Sequence, residues 1–329
     1  MTHTLRFLNA QAMVEALPMR DAIEGMKAAF KQFSAGEADV PLRARVNSDA
    51  GTTLVMPAYL QRSDDLGVKI VSVYPDNSEL GLPTIYALVI ALDPQTGQPT
   101  ALLEGSTLTA IRTGAGSGAA TDVLARADAS SVAIIGSGVQ ARTQLEAVCT
   151  VRGITDVYVY SRTRGNAEAF AEQVAGQGPI PQRVVVTDSA NEAVQQADIV
   201  CTATTSSTPV FDGEALRPGT HINAVGSYTP QMQEVDATTI QRAFVTVDSL
   251  ESVMAEAGDL VVPIEAGIIS QEHIHAEIGD VLSGKAVGRT SDEQITYFKS
   301  VGIAVQDAIS ASIALQHAER HNLGTVLSL

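Results

Sequence analysis

Cysteine is nearly absent: the 329 residues contain two, Cys149 and Cys201. Two thiols make no disulfide framework and no metal-ligand spacing, so they read as buried thiols suited to a reducing cytosol. The pair His273 and His275 has no cysteine or third ligand beside it, and no metal site is expected. Long hydrophobic runs are missing too. No stretch reaches the ~18 uninterrupted apolar residues of a membrane span, and Met1 to Ala10 has no apolar core long enough for a signal peptide. Positive charge is scarce, with 21 Lys+Arg against 37 Asp+Glu and a net charge of −16. Such a balance argues against nucleic acid as a partner, because phosphate neutralisation needs a basic face. An anionic ligand would have to be captured by local arginines against the global field. Low-complexity segments and internal repeats are also lacking. A cytoplasmic protein is expected.

The chain is otherwise ordinary, with 45% apolar and 18% charged residues and length enough for two domains with proper cores. In the first hundred residues the periodicity predicts a helix from Asp21 to Ala35, with Ile23, Met26, Ala29, Phe30 and Phe33 on one face. Strand-like runs follow at Thr53 to Met56, Gly67 to Val73, Thr84 to Leu92 and Thr100 to Glu104, the last two joined through an Asp93–Gly97 turn. This reads as an antiparallel sheet plus a helix. Leu108 to Ala125 is helical and rich in Gly and Ala, which predicts close packing. From Ser131 strands alternate with helices, as a parallel doubly wound sheet requires. Strands are expected near Val132–Ile135, Val157–Tyr160, Arg183–Thr187, Ile199–Ala203, His221–Val225 and Phe244–Val247. A final apolar-striped helix runs from about Ile303 to His321, stopped by Asn322 and Gly324. The expected fold class is therefore α/β: a Rossmann sheet over 117–303 plus a mixed α+β domain made by both termini, 1–116 and 304–329.

The most informative segment is Gly136-Ser137-Gly138-Val139-Gln140-Ala141, a G-x-G-x-x-A turn between an apolar strand and a helix. Gly136 permits the tight turn, and Gly138 lacks the Cβ that would keep a pyrophosphate from the positive end of the helix. An NAD site usually has Asp or Glu roughly 20 residues on, to accept from the ribose 2′-hydroxyl. Here the segment is Ser161-Arg162-Thr163-Arg164. With no carboxylate to repel a 2′-phosphate and two guanidinium groups to bind one, NADPH is expected, with NADH the weaker possibility. Thr204 to Thr208 leaves the carboxyl end of a strand, where ligands bind in open α/β sheets.

Three cations in the first domain sit among apolar residues: Arg43, Lys69 and Arg112. Arg45 shares a face with Arg43 if that segment is extended. Arginine suits a planar carboxylate because its fork binds two oxygens at once. These residues lie in a set of segments that resembles the ornithine cyclodeaminase/mu-crystallin family: Pro41-Leu42-Arg43, Met56-Pro57-Ala58-Tyr59, Gly67-Val68-Lys69, Gly81-Leu82-Pro83-Thr84, Leu108 to Thr113, the glycine turn, and Asn223-Ala224-Val225-Gly226. The resemblance extends over nearly the whole chain.

It implies a homodimer, a Rossmann domain, and a second domain that forms the dimer interface. It also implies that Arg43, Lys69 and Arg112 surround a substrate carboxylate, with Arg45 in reserve and Lys69 next to the reacting C–N bond. Thr84, Arg112, Thr113, Gly136, Gly138, Val139, Gln140, Ser161, Arg162, Thr163, Thr204, Val225 and Val301 would contact the cofactor. Val301-Gly302 would close over the nicotinamide, with Gly302, Ser227 and Tyr228 on the substrate side. Cyclodeaminases of the family carry an aspartate two residues after the Val-Gly that corresponds to Val225-Gly226; this chain has Tyr228 there. Without that base, ring closure of a diamino acid lacks a proton acceptor. The resemblance then points to reduction of a preformed cyclic ketimine carboxylate, Δ1-pyrroline-2-carboxylate or its six-membered homologue. The alternatives are an alanine dehydrogenase-like enzyme acting on a 2-oxo acid and ammonia, a cyclodeaminase, and a protein that only binds NADPH or a ligand.

Overall fold

Alternation of large apolar and smaller or polar residues sets the strands of the first third of the chain, and continuous apolar runs set those of the remainder. In the computed structural model, which describes residues 4–328, the strands are β1 (Thr4–Leu8), β2 (Ala38–Asp39), β3 (Ala44–Asn47), β4 (Thr52–Leu60), β5 (Asp65–Val73), β6 (Ile85–Leu92) and β7 (Pro99–Glu104). They continue as β8 (Ser131–Ile135), β9 (Asp156–Tyr160), β10 (Val184–Val186), β11 (Ile199–Thr202), β12 (His221–Ala224), β13 (Ala243–Val247), β14 (Ile274–Glu277), β15 (Ile295–Lys299) and β16 (Thr325–Ser328). The chain divides into two units, Met1–Arg112 with Ile303–Leu329, and Thr113–Gly302.

The first unit has one sheet, ordered β16-β1-β7-β6-β5-β4-β2, with β3 also on β4. Neighbours run antiparallel except β1 and β7, which are parallel. In β6, Ala87, Val89 and Ala91 are buried, while Tyr86 and Leu88 on the opposite pleat face are 49% and 42% exposed. Helices Met19–Ser34 and Ala304–His321 cover the buried face. Gly67 lets the second of these settle on β5, because an added Cβ would lie 3.2 Å from Ala308 Cα. Asn322, at φ 53°, and Gly324, at φ 77°, end that helix as their residue types predict. The Gly105–Leu124 helix begins three residues before the expected Leu108. The carboxylate of Glu104 accepts the N–H groups of Ser106 and Thr107, each at 2.8 Å, and so caps the first turn.

The second unit is a Rossmann sheet, ordered β10-β9-β8-β11-β12-β15-β13-β14 and parallel throughout. Its order reverses between β8 and β11, the topological switch point at which such sheets bind ligands. Apolar clusters fill both faces. No strand is expected from the sequence at β15, yet β15 inserts between β12 and β13 with all five residues buried. Its lysine, Lys299, obscures the strand pattern and is neutralised by Asp259 at 2.8 Å.

Gly67→Val places two methyl groups against the Ala308 backbone. It is expected to lower stability by about 1–3 kcal/mol, the usual cost of overpacking, measured by urea denaturation; an unchanged midpoint would show that the helix does not rest on this glycine.

Candidate active site

Lys69 stands in the middle of β5, opposite Met56 of β4 and Val89 of β6 on the helix-covered face. Its Nζ lies 2.7 Å from Asp307 Oδ2. Asp307 belongs to the first turn of the Ala304–His321 helix, where exposed peptide N–H groups favour negative charge. Its other oxygen accepts from Arg112 Nε at 3.1 Å, and Arg112 also donates to Gln306 Oε1 at 3.1 Å. Lys69, Arg112 and Asp307 are only 3%, 6% and 1% exposed. Two cations share one carboxylate in a nearly dry place, so one positive charge is left unbalanced when all three are ionised. Burial pulls the Lys69 amine down to about 8; Asp307 opposes the fall, and Arg112 and Arg43 add to it. Gln306 Oε1 also accepts from Ile303 N at 2.9 Å, while its buried Nε2 has no partner.

Arg43, half-buried just before β3, acts electrostatically on Lys69. Arg45 is exposed and pairs in register with Leu54, two residues along β4 from Met56. Thr84 is exposed just before β6, and its carbonyl accepts from Tyr74 N at 2.8 Å.

In the second unit Gly136 is required twice over. Its φ is 122°, and an added Cβ would sit 2.5 Å from the carbonyl oxygen of Ala203. Gly138 is different: it caps the Val139–Val151 helix with extended backbone, and a Cβ there would meet nothing within 4 Å. No side chain caps that helix, so its first-turn N–H groups are available to an anion. Val139 is exposed, and the buried Oε1 of Gln140 has no hydrogen-bond partner. Ser137 Oγ donates to Ser161 Oγ at 3.1 Å, tying the turn to the end of β9. Thr113 holds the same helix through its carbonyl, which accepts from Gln144 Nε2 at 3.2 Å. These open donors and the empty space at Gly138 fit a dinucleotide diphosphate.

Two arginines are expected around a 2′-phosphate, but Arg164 pairs with Asp188 and, at 2.9 Å, with Glu168. Arg162 and Thr163 are exposed. The basic character of this corner therefore comes down to Arg162.

The loops after β11 and β12 are held by a residue that is not among the sequence candidates. The carboxylate of Glu234 accepts from Thr204 N at 2.6 Å, Thr204 Oγ1 at 2.8 Å, Thr202 Oγ1 at 2.9 Å and Gly226 N at 2.7 Å. Val225, between these anchors, donates its N–H to Thr202 O at 3.1 Å. Asp259 accepts from Glu234 N at 2.6 Å. Burial pushes the Glu234 carboxyl up, Lys299 lowers it and Asp259 raises it further. Val301-Gly302 is pinned: Asp248 Oδ2 accepts from Ser300 Oγ, Val301 N and Gly302 N at 2.7, 3.0 and 2.8 Å. Ser227 is fully buried and donates to Met232 O at 2.7 Å, so its hydroxyl shapes the loop; Tyr228 is 44% exposed, which sets aside a core-packing role. His273 Nε2 and His275 Nδ1 are engaged by Ile240 O and Val245 N.

Asp307 and Gln306 are likewise absent from the sequence candidates. The signal was available: Gln306-Asp307 interrupts an otherwise apolar helix start, Ile303-Ala304-Val305, with two adjacent polar residues.

A Rossmann sheet with an open glycine turn, in a chain that also buries a cationic cluster, fits a nicotinamide-dependent oxidoreductase. More narrowly, the chain belongs to the ornithine cyclodeaminase/mu-crystallin family, whose model matches residues 4–322. It is 43% identical over 320 residues to the Δ1-pyrroline-2-carboxylate reductase of Bacillus cereus, covering 96% of this chain and 98% of that one. The Δ1-pyrroline-2-carboxylate reductase of Thermococcus litoralis, solved with NADH and L-proline, superposes with a TM-score of 0.92 at 43% identity, covering 98% of this chain and 99% of that one. An archaeal alanine dehydrogenase dimer with bound NAD gives a TM-score of 0.91 at 34% identity, covering 99% of each chain.

Because a Cβ at Gly138 meets open space, Gly138→Val is expected to leave the thermal midpoint unchanged. It should weaken dinucleotide binding by about tenfold or more, or 1.4 kcal/mol, in a fluorescence titration. A stability loss with intact binding would make Gly138 a purely structural glycine.

Proposed function

We propose that this oxidoreductase of carbon–nitrogen bonds reduces a cyclic ketimine carboxylate, Δ1-pyrroline-2-carboxylate or its six-membered homologue, to the cyclic amino acid. The observation that carries this reading is the Lys69 ammonium, buried beside Arg112 with positive charge in excess and its amine drawn down to about 8. Arg112 and Arg43 bind the substrate carboxylate, which balances the excess charge. When bound, the reduced nicotinamide supplies a hydride to the imine carbon. As the carbon–nitrogen π pair moves onto nitrogen, Lys69 Nζ donates the proton that nitrogen takes, and the neutral amine is recharged from solvent. Positioning and a preorganised field contribute most of the acceleration. The 43% identity to two Δ1-pyrroline-2-carboxylate reductases supports this choice. Tyr228 in place of a carboxylate argues against ring closure from a diamino acid.

NADPH is the proposed cofactor. Exposed Arg162, with no acidic residue at 161–163, is what favours the 2′-phosphate. One charge-assisted hydrogen bond is worth about 1.5–3 kcal/mol, roughly ten- to a hundredfold, so the preference over NADH is modest. A homodimer is proposed as well: Tyr86 and Leu88 on the uncovered face of β6 form the kind of apolar sheet surface that a second copy covers.

A second reading, reductive amination of a 2-oxo acid with ammonia, is favoured by the alanine dehydrogenase likeness. Cofactor oxidation followed with cyclic imines, and separately with pyruvate and ammonium, separates the two; turnover confined to pyruvate with ammonium would overturn the ketimine assignment. Lys69→Ala should lower kcat by about a hundredfold or more, the usual contribution of a general acid, with dinucleotide affinity unchanged. In the free enzyme Lys69 is the acid, so kcat/KM is expected to be level below pH about 8 and to fall above it as the proton is lost. Arg162→Asp should invert the preference towards NADH, read from the ratio of the two kcat/KM values.

A further inference from the structure

We propose that Asp307 is the positioning residue for the proton delivered by Lys69: it keeps the ammonium charged and fixes where it points. The proposal rests on the reading of Lys69 as proton donor to the imine nitrogen, and adds to it the group that makes a buried donor workable. Three observations carry it. Lys69 has no charged neighbour along the sheet, since Met56 and Val89 flank it in register. The charged groups that act on it come from other elements: Asp307 from the Ala304–His321 helix, Arg112 from the Gly105–Leu124 helix, and Arg43 from the segment before β3. Of these only Asp307 is negative.

Geometry fixes the pair as well as charge does. Gly67, two residues before Lys69 on the same pleat face, admits the helix backbone at Ala308, the residue after Asp307. The carboxylate is thereby delivered at 2.7 Å from Nζ on a rigid helix start. The other Asp307 oxygen, on Arg112 Nε at 3.1 Å, keeps the guanidinium from turning towards the lysine. Removing the anion leaves Lys69 facing two cations in a dry site, and it would respond by losing its proton. Arrival of a substrate carboxylate on Arg112 then has the opposite effect: it weakens the repulsion and leaves Asp307 more fully to Lys69, so that the acid is charged when the imine is present.

The test needs no turnover. The chain has five lysines, Lys27, Lys31, Lys69, Lys285 and Lys299, so ε-13C-lysine labelling gives a countable NMR spectrum, with Lys69 assigned by its loss in Lys69→Arg. In Asp307→Asn the Lys69 titration midpoint is expected to fall by about one unit or more, a tenfold loss of ammonium at a fixed alkaline pH. Asp307→Glu should hold it near the wild-type position. The alkaline limb of kcat/KM on Δ1-pyrroline-2-carboxylate should move with the midpoint, while dinucleotide affinity stays constant. Asn at 307 keeps an oxygen acceptor for Arg112 Nε but removes its counter-charge; if that variant does not fold, Asp307→Ser, which leaves room for water, is read in the same direction. An unmoved Lys69 midpoint would overturn the proposal. A shifted midpoint in a protein that reduces no cyclic imine would uphold the Asp307 coupling and dismiss the substrate assignment alone.

Discussion

An ammonium group in the middle of a β-strand is tolerable only beside an anion, and in this chain that anion arrives on the last long helix. Taking Lys69 and Arg112 out of water costs several kcal/mol per ion even after relaxation. Asp307 offsets part of that cost with one carboxylate on both cations. The arrangement explains features that otherwise look unrelated: a glycine in a central strand, two polar residues in an apolar helix start, and a buried glutamine bound to an arginine. Strands β4 to β6 supply a rigid floor, and the helix supplies the counter-charge. A cluster made for stability alone would balance its charges or replace them with apolar residues; this one keeps a surplus that suits an anionic ligand.

The second unit uses the same device for a different end. Glu234 and Asp248 direct their oxygens at main-chain N–H groups of the loops that leave β11, β12 and β15. These loops lie at the carboxyl ends of parallel strands, where an open α/β sheet binds its ligand, and the carboxylates hold them preorganised. The acidity of the chain is therefore partly internal. Glu234, Asp248, Asp259 and Asp307 are all buried acceptors, and the net charge of −16 misleads if read only as a surface property.

Much of the fold was legible because its signals are local. The glycine turn, the apolar runs of β8, β9, β11 and β12, and the stop at Asn322 each announce themselves within a few residues. What escaped depends on partners far along the chain. Lys299 hides β15 because its neutraliser, Asp259, lies outside the strand. Lys69, Arg112 and Arg43 stood out as cations among apolar residues, but Asp307 did not, since an acid in a first helical turn looks ordinary. Arg164 looked free until Asp188 and Glu168 were seen beside it. Family resemblance supplied roles for residues whose spacing alone says little, such as Thr84 and Val225.

The sheet that holds Lys69 is closed by material from the opposite end of the chain: the Ala304–His321 helix covers it, and β16 pairs with β1 at its edge. A ribosome making this protein has synthesised every strand from β1 to β15 before either piece exists. Until then the nascent lysine has no counter-ion and its strand no lid, so the nucleotide-binding half is the part that can reach its native state during translation. Chemical competence waits for the helix that brings Asp307.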